Sequence, residues 1–92
     1  MTTEKVAGRD DLKLTAGNTN VGAVSVTSRG FVRAIFQAPT SNTSEIYVGG
    51  GDDPSIELQP GASETFYLSD LDTFGWKATT VGDKLHIHYE YN

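Results

Sequence analysis

From Val21 onward, apolar and polar residues alternate with a period of two in short runs, and each run is cut by Gly, Pro, Asn or Asp. The last run is the cleanest, with Leu85, Ile87, Tyr89 and Tyr91 opposing Lys84, His86, His88 and Glu90. Successive strand side chains point to opposite faces, so this pattern is that of a half-buried strand. No segment sustains a helical period. Short strands spaced roughly 8 to 12 residues apart predict an all-β chain: a small antiparallel β-sandwich or barrel, Greek-key or jelly-roll-like. The 92 residues make one domain, which at this size buries roughly 60 to 70 per cent of the surface of the unfolded chain. There are no cysteines, so neither disulfides nor thiolate metal sites add stability, and self-association is a natural way to bury more surface.

Residues 1–20 are polar and weakly patterned, with a brief alternation at Leu12 and Leu14. They read as an N-terminal arm ahead of a sandwich over 21–92. The arm is either a frayed terminus with one edge strand or a segment ordered against a neighbouring subunit through Leu12 and Leu14. Val24 and Val26 share a face. After the Ser28-Arg29-Gly30 turn, Val32, Ala34, Phe36 and Ala38 form a core face, while Phe31, Arg33, Ile35 and Gln37 form a mixed face suited to partial cover by another strand or subunit. Pro39 and the Ser/Thr/Asn cluster after it end that strand, their side chains bonding back to local backbone. Ile46 and Val48 then point inward and Tyr47 outward, the triglycine Gly49-Gly50-Gly51 permits unusual backbone angles, and Ile56 and Leu58 form the next inward pair. Pro60-Gly61 fits the centre of a type II turn. Phe66 and Leu68 face the core with Tyr67 outward, Ser69 to Asp72 suit one helical turn, and Phe74, Trp76 and Ala78 share a face. Gly82-Asp83 marks a hairpin into the last strand.

Charge narrows the function. Seven Lys and Arg against 12 Asp and Glu give a net charge of -5, the wrong sign for neutralising phosphates, so nucleic acid is not an expected partner. No apolar stretch is long enough to cross a bilayer and no basic segment leads an apolar run at the start, which predicts neither a membrane partner nor an export signal.

Specific chemistry is sparse. His86 and His88 project side by side and supply two imidazoles of the kind zinc accepts, making them the weak metal candidates, but there is no other histidine or cysteine to complete a set. Gly49-Gly50-Gly51-Asp52-Asp53 lacks the Gly-Lys-Ser/Thr of a phosphate loop and the acid spacing of a calcium loop. No Gly-x-Ser-x-Gly elbow is present, and Asp70 and Asp72 read as turn and capping residues. The chain is therefore expected to be neither an enzyme nor a cofactor carrier. The outward residues Phe31, Arg33, Ile35, Tyr47 and Tyr67 join Leu12 and Leu14 as candidate contact residues.

One combination of segments is more specific than any of its parts. It runs Gln37-Ala38-Pro39-Thr40-Ser41-Asn42-Thr43-Ser44-Glu45-Ile46-Tyr47-Val48-Gly49-Gly50, then Leu58-Gln59-Pro60-Gly61-Ala62-Ser63, Asp70-Leu71 and His88-Tyr89-Glu90-Tyr91. From about Gly30 to the end, this order resembles small virion structural proteins of tailed bacteriophages, of the capsid decoration or cement type. The resemblance implies a protein made in the host cytoplasm and seated on the outer capsid surface. Its partner would be the major capsid protein, and its copies, as trimers, would bridge neighbouring capsomers. Alternatives within the same resemblance are a neck, tail or baseplate part, or a host-glycan-binding module using aromatics such as Trp76.

Overall fold

A computed structural model of the chain describes residues 8–24, 32–50, 53–68 and 74–91. They form eight strands: β1 (Gly8–Thr15), β2 (Gly22–Ala23), β3 (Val32–Gln37), β4 (Ile46–Gly50), β5 (Ile56–Leu58), β6 (Ser63–Leu68), β7 (Phe74–Ala78) and β8 (Lys84–Tyr91). The strands build two four-stranded sheets, one in the order β1-β8-β3-β6 and the other β2-β7-β4-β5, with every pairing antiparallel. We call these sheet A and sheet B. Among the described residues only β4 and β5 are both consecutive and paired. The other connections lead from one sheet to the other, the winding of an eight-strand jelly roll.

The residues that alternation placed inward meet between the sheets. Val32, Ala34 and Phe36 of β3 and Leu85 and Ile87 of β8 face Ile46 and Val48 of β4 and Ala78 of β7, all buried. Phe36 and Phe66 from sheet A and Phe74 from sheet B meet with centroids 5.0 to 5.2 Å apart and tilted rings, joining the two layers through edge-to-face contact.

Several expectations are revised. Gly8–Thr15 is a full strand along β8, so residues 8–15 of the expected arm belong to the sandwich. Leu12 and Leu14 pack against the core, because period two turns both toward sheet B. Ile56 does not join Leu58 inside: β5 is a three-residue edge strand, and Ile56, opposite Val48 near its end, stays exposed. Gly49 and Gly50 lie in regular strand without positive φ. At Gly49 the reason for glycine is crowding, since a Cβ there would sit 3.2 Å from the Pro54 backbone. The turn before β8 is not a hairpin, because β7 and β8 lie in different sheets. The Pro60-Gly61 turn has the expected geometry, with Ala62 N–H donating to the Gln59 carbonyl at 2.8 Å and φ of +91° at Gly61. Val26, Phe31, Gly51, Asp52 and Ser69 to Asp72 lie outside the described residues.

Three inter-sheet connections are tied together at one corner. Asp83, only 4% exposed, accepts from the Thr43 amide at 2.8 Å and the Ser44 amide at 2.9 Å. Asn42, 8% exposed, exchanges two bonds with the Lys84 backbone: its Nδ2 donates to the carbonyl and its Oδ1 accepts from the amide, both at 2.8 Å. Asn42 thus acts as one more rung of a ladder rather than bonding back to its own turn. The Asp83 carbonyl accepts from the Ala16 amide, and the Gly82 amide donates to the Ala16 carbonyl, each at 2.9 Å. Thr80 Oγ1 donates to Ser44 Oγ at 2.9 Å. The ends of β1, β3 and β7 and the starts of β4 and β8 are therefore fixed to one another by polar groups that burial obliges to pair.

Candidate functional site

The outer face of sheet A gathers residues from both ends of the chain, and register aligns them in rows. One row reads Arg9, Glu90, Arg33, Tyr67; the next Asp11, His88, Ile35, Thr65; the third Lys13, His86, Gln37, Ser63. Period two puts all of these on the face that points away from sheet B.

In the first row Glu90 sits between two guanidinium groups, 2.9 Å from Arg33 and 3.6 Å from Arg9. Directly opposed unlike charges support the pairing of β1, β8 and β3. In the second row the His88 ring and Asp11 carboxylate are 2.7 Å apart. A carboxylate only accepts, so Nδ1 carries the proton and donates to Oδ1. His86 is half-buried; burial first, then the charges of Lys13, His88 and Lys84, lowers its pKa. A shallow open depression of about 350 Å³ lies over Arg9, Asp11, Arg33, Ile35, His88 and Glu90. Beside it Tyr67 is 67% exposed.

Three of the contact candidates, Arg33, Ile35 and Tyr67, therefore share one surface. Tyr47 does not: it lies on the outer face of sheet B, half-buried, with Lys77 Nζ 5.5 Å from its ring centroid. Its hydroxyl donates to Glu45 at 3.4 Å, and Thr79 Oγ1 donates to the same carboxylate at 3.0 Å. Burial, followed by the nearby Glu45 and Glu57 charges, raises the Tyr47 pKa. The Glu45 carboxyl is held low, first by its own backbone amide and then by Thr79. Tyr47 thus belongs to a local surface network. Leu12 and Leu14 are on the inner side of β1.

His86 and His88 lie on the same face as Asp11 and Glu90, but among the described residues no three His, Cys, Asp or Glu side chains converge as metal ligands. The pairing of Arg9 with Glu90 and of Asp11 with His88 carried no local sequence signal, because the Asp11–His88 contact joins residues 77 positions apart. Only knowledge that the first strand pairs with the last would have found them. Among the described residues no helix is long and apolar enough to cross a membrane.

No family model and no curated protein sequence matches the chain. One solved structure does, at the level of fold: a protein from work describing Bacillus endospore appendages as a novel family of disulfide-linked pili. It superimposes with a TM-score of 0.63 at 12% identity, over 92% of this chain and 85% of that one. The likeness extends over nearly the whole sandwich and shows that this arrangement of two antiparallel sheets is found in a pilus protein.

Proposed function

We propose that the chain is a structural protein of a tailed-bacteriophage particle, a capsid decoration protein that docks on the outer surface of the major capsid shell through the outer face of sheet A and stabilises the shell by bridging its subunits. The observation that carries this reading is Tyr67, two-thirds exposed, beside Arg33 in one row of a broad strand surface. Tyr and Arg are the residues most often found as energetic anchors of protein interfaces, and here a half-buried Ile35 supplies apolar area next to them. The segments that carry the resemblance to phage virion proteins support it too. Ile46 to Gly50 is strand β4, Leu58 to Ser63 is the β5–β6 corner, and Tyr89 and Tyr91 end β8. A net charge of -5 keeps an outer protein from competing for packaged DNA. Each copy makes modest contacts, and repetition over a shell makes their effect large.

The test is binding to mature shells that lack the protein. Wild type is expected to bind and to raise the temperature at which the shells release DNA, and a folded Arg33→Glu/Tyr67→Ala variant is expected to lose both. Absence of wild-type binding refutes the reading. Retention of folded wild type on a host polysaccharide favours the glycan module instead, although not through Trp76, which is buried in the core at 7% exposure.

A second reading, polymerisation into a filament, is supported by the pilus protein of like fold. The 92 residues contain no cysteine, so such a filament would be held by non-covalent contacts. Regular filaments of the purified protein under the electron microscope would favour it.

A further inference from the structure

Strand β1 forms one edge of sheet A and is eight residues long. The Ala16 amide bonds across to Asp83, on the β8 side. Backbone groups alternate in direction along an antiparallel strand. Leu14, Leu12 and Asp10 therefore turn their N–H and C=O groups toward β8, while Thr15, Lys13, Asp11 and Arg9 turn theirs to the edge that no strand among the described residues covers. The Asp11 amide agrees with this, since it donates to the Asp10 carboxylate at 2.8 Å, a bond within reach only of an amide facing away from β8. A long row of outward backbone groups is a template for another strand.

The side chains of β1 select which strand fits. For two sheets to join continuously, outer-face residues must oppose outer-face residues. When β1 is laid antiparallel to a second β1 with Leu12 facing Leu12 across the two-fold axis, Asp11 opposes the partner's Lys13, Lys13 opposes the partner's Asp11, and Arg9 opposes the partner's Thr15. A slip of one repeat in one direction sets Asp11 against Asp11 and Arg9 against Lys13. The opposite slip sets Lys13 against Lys13. Opposed unlike charges stabilise a strand pair and like charges destabilise it, so charge selects the register centred on Leu12 over both one-repeat slips. That register pairs the full length of β1, where one centred on Asp10, which also opposes Asp11 to Arg9, pairs only part of it.

We infer that β1 is a docking edge for the β1 strand of a second copy of this chain, in that register. On pairing, the Asp11 amide leaves the Asp10 carboxylate for the partner's Lys13 carbonyl. Asp11 keeps Oδ1 toward His88 and has Oδ2 for the partner's Lys13 ammonium. The contact is self-complementary and closes at two copies, so it yields a dimer where the phage resemblance implies a trimer. It does not depend on attachment to a shell.

The experiment is sedimentation velocity on the full chain, combined with amide hydrogen exchange. Wild type is expected at twice the 9.9 kDa chain mass, with the Lys13 amide protected at concentrations where the dimer forms and fast-exchanging on dilution. Asp11→Lys and Lys13→Asp are each expected to weaken dimerisation at least about tenfold, since both symmetric pairs turn repulsive. The double variant Asp11→Lys/Lys13→Asp restores complementarity and is expected to restore the dimer. Lys13→Pro removes a donor that only the partner uses, on an edge where proline is tolerated, and is expected to give a folded monomer. A wild-type monomer, a trimer, an open-ended polymer built from the β1 edge to the β6 edge, or a dimer whose Lys13 amide stays unprotected overturns the inference.

Discussion

The corner around Asp83 and the outer face of sheet A are both built from polar side chains, the first in the connections between the sheets and the second on the strands, yet they do opposite things with them. At the corner, Asp83 and Asn42 are almost fully buried and their side chains satisfy backbone groups of distant loops. On the outer face, Glu90 pairs with Arg9 and Arg33, Asp11 pairs with His88, and Tyr67 is 67% exposed. A buried polar group that loses its partner bears the whole cost of desolvation, whereas an exposed ion pair contributes little because water replaces either member. The corner therefore belongs to stability and the outer face is available for contact.

The largest expected effect comes from breaking the corner. Asp83→Ala strands the Thr43 and Ser44 amides and is expected to cost about 3 kcal/mol of unfolding free energy in urea titration. Asp83→Asn keeps one acceptor oxygen and is expected to cost about half as much. Asn42→Ala removes both bonds to the Lys84 backbone and is expected to cost about 2 kcal/mol. If any of these buried substitutions were neutral, the division between the two regions would be wrong.

Arg33→Ala sharpens the comparison from the other side. It is expected to change stability by no more than about 0.5 kcal/mol, while weakening attachment to shells. A large loss of stability would place Arg33 with Asp83 rather than with Tyr67.

The smallest effect concerns pH. The His86 pKa lies below its ordinary value because burial, and then Lys13, His88 and Lys84, disfavour its charged form. The unfolded chain binds that proton more readily, so His86 leaves stability intact above the ordinary value of about 6.5 and lowers it as pH falls through the folded value. Urea midpoints measured from about pH 7.5 to about pH 5 are expected to decline, and His86→Gln is expected to flatten the decline. An unchanged slope would show that the decline comes from other groups.

What was legible in the sequence follows from range. Alternation is a local signal, and it placed Val32, Ala34, Phe36, Ile46, Val48, Leu85 and Ile87 inside, where they are. Pro60-Gly61 was equally local, because the turn type is set by those two residues. Pairing between the first and last strands is not local: β1 and β8 have no sequence neighbours in common, so the rows Arg9–Glu90–Arg33 and Asp11–His88 were invisible, and Leu12 and Leu14 passed for the contacts of an arm. Asp83 looked like any acid after a turn glycine. Its role depends on the amides of Thr43 and Ser44, 40 and 39 residues away. The outward positions of Arg33, Ile35 and Tyr67 were readable from period two, but that they share a face required the β3–β6 register.

Cryo-electron microscopy of the assembled particle tests the central proposal most directly. The account predicts jelly-roll density on the outside of the capsid shell, with Arg33, Ile35 and Tyr67 turned toward the major capsid protein and the Asp83 corner away from the contact. Density confined to the neck or tail, or a shell-bound copy with the outer face of sheet A open to solvent, would contradict it.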